Sequence, residues 1–162
     1  PSLKPEDIAM IVAQTSTDMG TTPGKENNWG AGKINARAGL DLALCVHRVN
    51  GEPAWKVNVP AGTTATFELD TVPNSTVFFA IGTARTAVTT YGGIIGIAPI
   101  DPNLLWVAAS DAAGNWSFQI PVPAGISNFS VFTQCATIDT TVTGTPAVPR
   151  VLTSNVIESR VP

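Results

Sequence analysis

The chain has 162 residues, 44% of them hydrophobic and 13% charged, which is room for one domain or for one domain with an appendage. Nine Lys/Arg against twelve Asp/Glu leave a net charge of −3, which excludes an electrostatic nucleic-acid binder, and the hydrophobic content excludes disorder. No apolar run approaches the ~18 residues that a membrane span needs.

The predicted elements divide the chain near residue 45. Residues 3–15 place Leu3, Ile8, Ile11 and Val12 at helical spacing, with Pro5 in the first turn and Glu6 and Asp7 near the positive end of the helix. Residues 17–32 read as a glycine-rich loop. A second short helix follows, with Asn35 as its N-cap and Ala36, Ala38, Leu40, Ala43 and Leu44 on its apolar side. Two such short helices cannot bury their apolar faces on each other alone, so they require a partner surface. From Glu52 onward the period changes to two. Trp55, Val57 and Val59 alternate with Lys56 and Asn58, and Phe67-Leu69 and Val77-Phe79-Ile81 continue the pattern. Further strands are expected at 91–98, 104–109, 115–121, 128–137 and 150–159, separated by turns such as Pro60-Ala61-Gly62 and Asp111-Ala112-Ala113-Gly114. About eight strands in about 110 residues with no helix between them read as a mainly β antiparallel sandwich. The expected division is 1–45, helical, and 46–162, β-sandwich. A first residue Pro1 with no leader before it is read as a processed chain or a piece of something longer.

The ordered series Thr15-Ser16-Thr17-Asp18-Met19-Gly20, Gly24-Lys25-Glu26-Asn27 and Trp29-Gly30-Ala31-Gly32-Lys33-Ile34-Asn35-Ala36, behind a helix, resembles the carboxy-terminal end of subtilisin-like serine protease domains. In that family a helix ending in a Thr-Ala-x-Asp-x-Gly-like stretch leads to a Gly-x-Gly-x-(Val/Ile)-(Asn/Asp)-Ala turn and a final helix; Ser16 stands here where Ala is usual. The resemblance covers about a quarter of the chain and implies that the two helices derive from the end of an α/β protease domain. It assigns structural roles to Asp18, Gly20, Asn27, Gly30, Gly32, Asn35 and Ala36. Such enzymes hydrolyse peptide bonds with a Ser nucleophile, a His base and an orienting Asp. The sequence holds no Gly-Thr-Ser, His-Gly or Asp-Ser/Thr-Gly motif, so no catalytic residue carries over. Residues 46–162 resemble the β-rich extensions of secreted bacterial proteins, through Ala109-Ser110-Asp111-Ala112-Ala113-Gly114-Asn115-Trp116 and Leu152-Thr153-Ser154-Asn155-Val156.

The secreted, extracellular setting that the resemblance implies favours a disulfide between Cys45 and Cys135, which would close a loop of about 90 residues worth roughly 4–5 kcal/mol; two buried thiols are the alternative. His47-Arg48 beside Glu52, the sole histidine's neighbourhood, reads as a solvated linker rather than a catalytic fragment. Asp111, Gly114 and Asn115, and Asp18 with Glu26 and Asn27, lack the spaced acidic ladder that calcium needs and read as turn chemistry, so no metal or other cofactor is expected. Of the tryptophans, Trp55 and Trp116 are expected in the core and Trp29 in the loop, with Trp106 and Tyr91 completing the set that a sugar-stacking platform would need. The sequons at Asn74, Asn115 and Asn128 are left unmodified. Residues 86–100 carry no charge and residues 133–148 only Asp139, so edge strands there are open to pairing with neighbouring copies.

The expected function is the non-catalytic carboxy-terminal region of a secreted subtilisin-like endopeptidase, its partner the upstream protease domain. The alternatives are a processed extracellular protein that self-assembles with copies of itself and a carbohydrate-binding module.

Overall fold

The computed structural model describes residues 3–17, 32–90, 93–98, 101–139 and 150–162. Two helices, α1 (Pro5–Thr15) and α2 (Ala36–Ala43), precede eleven strands: β1 (Val46–Val49), β2 (Lys56–Asn58), β3 (Thr64–Asp70), β4 (Thr76–Gly82), β5 (Ala84–Thr90), β6 (Gly93–Ala98), β7 (Leu105–Ala109), β8 (Asn115–Pro121), β9 (Phe129–Asp139), β10 (Arg150–Thr153) and β11 (Ile157–Val161). A 3-10 turn, Pro102–Leu104, leads into β7.

The protein is mainly β, as the two-residue period predicts. One sheet has the order β1-β3-β8. The larger has the order β2-β11-β9-β4-β7, with β10 also paired to β9. All pairings are antiparallel except β2 with β11. β5 and β6 form a separate two-stranded ribbon. The inner faces of the two large sheets meet at Phe79, which is wholly buried. Its ring lies 5.0 Å from Phe67, 5.6 Å from Trp106, 5.4 Å from Trp116 and 5.9 Å from Phe118. β3 alternates strictly, with Ala65, Phe67 and Leu69 inward, which is the pleat converting sequence period into one buried face.

The turn from β7 to β8 carries the chain from one sheet to the other. Asp111 Oδ1 accepts from the backbone N–H of Ala113 and Asn115, both at 2.8 Å, the turn chemistry read from the sequence. Gly114 has φ +87°, and a Cβ there would sit 2.1 Å from the carbonyl oxygen of Thr71, so only glycine fits.

Three sequence expectations change. The strand expected over 150–159 is two strands, because Ser154 and Asn155 leave the ladder and turn inward as hydrogen-bonding side chains. β1 and β5 lie in segments not read as strands: β1 is too short to show a period and is buried on both faces. Residues 133–139, expected as an open edge, lie in β9, paired on one side with β4 and on the other with β10 and β11. Residues 140–149, with the remainder of that stretch, lie outside the described residues, as do Tyr91 and Trp29.

Asn155 holds β1 against the larger sheet. Its Oδ1 accepts from the His47 N–H at 2.8 Å and its Nδ2 donates to the His47 carbonyl at 2.9 Å, so one side chain replaces a ladder pair. Asn155→Ala strands both buried backbone groups and is expected to cost about 3 kcal/mol. Urea unfolding at neutral pH measures that loss; a cost below about 1 kcal/mol contradicts the clamp role.

Candidate functional site

His47 is the only histidine and the natural place to look for chemistry. It is not on a solvated linker, as the sequence was read, but wholly buried in β1, between Phe67 and Phe79. Its Nδ1 lies 3.0 Å from the backbone carbonyl oxygen of Glu68 and its Nε2 lies 2.9 Å from Thr133 Oγ1. A carbonyl only accepts, so Nδ1 carries the proton and Nε2 accepts from the Thr133 hydroxyl. This resembles a hydroxyl–imidazole pair only in composition: a backbone carbonyl stands where an orienting carboxylate would, and no substrate reaches either group. Burial, with Arg48 nearby, lowers the His47 pKa to about 4 against the pull of the Glu68 carbonyl. The imidazole is a neutral strut.

The cysteines are likewise structural. The bridge expected between Cys45 and Cys135 is not formed; both are free thiols in the main core. The Cys45 Sγ lies 3.6 Å from Thr137 Oγ1 in the sandwich interior rather than across a bond to Cys135. Burial pushes the Cys45 thiol up to about 11 and raises that of Cys135 well above its ordinary value. Neither is a nucleophile at neutral pH.

Arg48 and Asp7 form a buried ion network that joins α1 to the sandwich. The Arg48 guanidinium grips Asp7 with two bonds, Nη2 to Oδ2 at 2.6 Å and Nε to Oδ1 at 3.1 Å, and reaches Asp70 of β3 through Nη1 at 2.6 Å. Asp7 Oδ2 also accepts from the Lys4 N–H at 2.8 Å, capping the first turn of α1. Desolvation would raise the Asp7 pKa, but the Arg48 hydrogen bonds, the Lys4 N–H and both positive charges outweigh it and hold the carboxyl below its usual range. α2 is tied separately, Arg150 of β10 pairing with Asp41. Its N-cap is the predicted one, Asn35 Oδ1 accepting from the Ala38 N–H at 3.1 Å.

These ties settle which helix faces are used. Met10, Ile11 and Leu42 pack on Val46 of β1. The opposite side of the pair is open: Ile8, Val12, Ile34 and Leu40 are exposed, Ile34 by 66% and Leu40 by 70%. Together with Leu3 and Ile11 they line a shallow apolar groove between the helices. At one end of it Thr17 and Lys33 form an antiparallel bridge, N–H to carbonyl in both directions at 2.8 and 2.9 Å. That bridge joins the Thr15–Thr17 and Gly32–Ala36 parts of the sequence motif. Of the motif residues, Asn35 and Ala36 line this groove and Gly32, at φ +100°, precedes the Lys33 bridge, while Asp18, Gly20, Asn27 and Gly30 lie outside the described residues, as does the Asp18, Glu26 and Asn27 group.

The remaining expectations are placed as follows. Trp55 is not in the core; it is 49% exposed, with the Arg85 guanidinium 4.9 Å from its ring centre. Trp106 and Trp116 pack against the core beside Phe118. The described tryptophans therefore do not form one stacking platform. Among the described residues no group of three or more His, Cys, Asp or Glu is arranged to hold a metal ion, and no helix is long and apolar enough to cross a membrane. The groove was legible in outline, since helical spacing implied an apolar face needing a partner; the Asp7–Arg48 tether that leaves one side of it open was not.

No family model and no curated protein matches the sequence. Among solved structures, a chain from work on T cell specificity and activation by the bacterial superantigen toxic shock syndrome toxin-1 overlaps at TM-score 0.40 and 13% identity, covering 73% of this chain and 99% of that one. A PapD-like domain of human CEP192 overlaps at TM-score 0.36 and 10% identity, covering 91% and 96%. A lytic polysaccharide monooxygenase from Streptomyces lividans overlaps at 0.31 and 10%, covering 90% and 80%. Overlaps this partial carry no functional information.

The neutral His47 has a measurable consequence. Between pH 6.5 and about 4 the unfolded chain binds a proton that the folded one refuses, so stability falls as the pH drops through that window. The loss is up to about 3 kcal/mol, complete near the folded value. His47→Gln is expected to be less stable at pH 7 but to show a flatter profile from pH 6.5 to 4.5. Equal slopes for the two proteins in urea titrations contradict a neutral buried imidazole.

Proposed function

We propose that this chain is the non-catalytic carboxy-terminal region of a secreted subtilisin-like serine endopeptidase, with α1 and α2 closing the protease domain and the sandwich serving stability or attachment. The observation that carries the reading is the open apolar side of the helix pair, at Ile8, Val12, Ile34 and Leu40, flanked by the motif that resembles the end of that family's domain. The Thr17–Lys33 bridge supports it, because it draws the two halves of the motif together beside that open side. The occupant of the groove is then the preceding part of the protease domain, whose interior would bury those side chains. Catalysis belongs to that upstream part: the one histidine here is locked in the sandwich core and no triad motif accompanies it.

The test uses the natural, full-length protein. A fluorophosphonate probe is expected to label a serine upstream of this chain and to leave this chain unlabelled. Leu40→Glu in the intact protein is expected to lower peptidase activity by about tenfold, because it sets a charge against a buried apolar surface, while Leu40→Met retains activity. A full-length protein with no probe-reactive serine, or one whose activity is indifferent to Leu40→Glu, contradicts the reading.

A further inference from the structure

We infer that β7 is a self-association edge, which pairs antiparallel with β7 of a second copy about a two-fold axis through Val107. The inference does not rest on the protease reading, since it concerns the far side of the sandwich.

An edge strand presents unpaired N–H and C=O groups, and proteins usually guard it with charge, proline, a bulge or a covering element. On one side of this sandwich the edges are guarded. β1 is buried beneath α1 and carries the Arg48–Asp7 pair. β2 is three residues long, is flanked by Pro53 and Pro60, and bears Lys56 3.5 Å from Glu158. β10 carries Arg150 paired to Asp41 of α2. On the other side, among the described residues, β7 ends the larger sheet with none of these devices. Its sequence, Leu105-Trp106-Val107-Ala108-Ala109, has no charge and no proline, and its register with β4 runs without a bulge.

The direction of the free groups follows from the ladder. The Ser110 N–H donates to the Ser75 carbonyl at 3.0 Å, so Ser110 faces β4. With a period of two, Ala108 and Trp106 face β4 as well, and the backbone groups of Leu105, Val107 and Ala109 point away from the sheet. On the outer face the same strand exposes Val107 by 63% and Leu105 by 37%. A second copy is the occupant that fits both features. Turned about Val107, it sets Val107 opposite Val107 and Leu105 opposite Ala109, exchanges hydrogen bonds through the outward-facing groups, and brings apolar side chains together across the seam. An uncharged strand meets no like charge in its own copy. The strand is flanked by Asp101 and Asp111, which a two-fold turn brings toward each other, so association strengthens with added salt rather than weakening.

The partner edge of the smaller sheet, β8, lies on the same side, because the rings of Trp106 of β7 and Phe118 of β8 meet at 5.3 Å, tilted by 43°. It too is uncharged, although it ends at Pro121, and the Thr71 N–H bond to the Gly114 carbonyl at 2.8 Å leaves the backbone groups of Ser117 and Gln119 facing outward, those of Asn115 being held by Asp111. A two-fold axis along the sheet normal therefore brings β8 beside its own copy in the same encounter.

Light scattering and sedimentation from about 1 μM to about 1 mM, the range of weak interfaces, test this. The wild-type mass is expected to rise from 16.8 kDa toward twice that, and Val107 amide exchange to slow with concentration. Val107→Lys, at an exposed position, sets like charges opposite each other and is expected to weaken association about tenfold. Val107→Pro removes the outward N–H without adding charge and is expected to do the same. Leu40→Lys, on the helix face, leaves association unchanged. A strictly monomeric wild type, a dimer indifferent to both Val107 variants, or one lost with Leu40→Lys overturns the inference.

Discussion

The position of α1 on the sandwich depends on one buried cation. Arg48 lies in a strand with both faces covered, and an unpaired guanidinium there would be prohibitively costly. Asp70 of the neighbouring strand supplies one partner, and Asp7 of α1 supplies the other through two bonds. α1 is therefore required in one place and one rotation, because a planar guanidinium binds a carboxylate edge to edge. The network's contribution to net stability is secondary, since burying ions costs much of what their attraction returns. Its contribution to geometry is larger: it decides which helix face meets Val46 and which is left open.

The same economy runs through the interior. His47, Thr133 and Asn155 form a polar seam between the two sheets, in which the described donors and acceptors find partners. Such a seam fixes the register of β1, a strand too short to fix its own. With β1 fixed, Arg48 is fixed, and with Arg48 α1, against which α2 packs. The two open surfaces lie at opposite ends of this chain of constraint. The apolar side of the helix pair is open because Asp7 turns the other side toward the sandwich. The β7 edge is open, among the described residues, because the strand itself carries no charge, proline or bulge, unlike β1, β2 and β10.

Much of this was legible in the sequence where a period was long enough to read. The alternation at Phe67-Leu69 and Val77-Phe79-Ile81 became β3 and β4 with those residues inward, and Asn35 capped α2 as its chemistry predicts. The failures share a physical cause. His47 and Arg48 are polar letters between a helix and a strand, and a local reading makes them a linker; only Asp7 and Asn155, 41 and 108 residues away, make them core. Trp55 alternates with polar residues as a buried aromatic should, yet it ends exposed beside Arg85, a partner 30 residues on. Long stretches without charge point to open edges, but an edge is a property of sheet order. Residues 133–139 lie in a strand with partners on both sides, while among the described residues β7 has a partner on one side alone.

The central claim is that the Asp7–Arg48 contact positions α1, and a double-mutant cycle tests it most directly. Asp7→Asn, Arg48→Met and the pair together are compared by urea unfolding and by amide exchange of α1. The account predicts that each single change costs about 3–5 kcal/mol, that the double change costs much less than their sum, and that all three raise exchange in α1 selectively. Additive losses, or α1 amides as protected in the double variant as in the wild type, would contradict it.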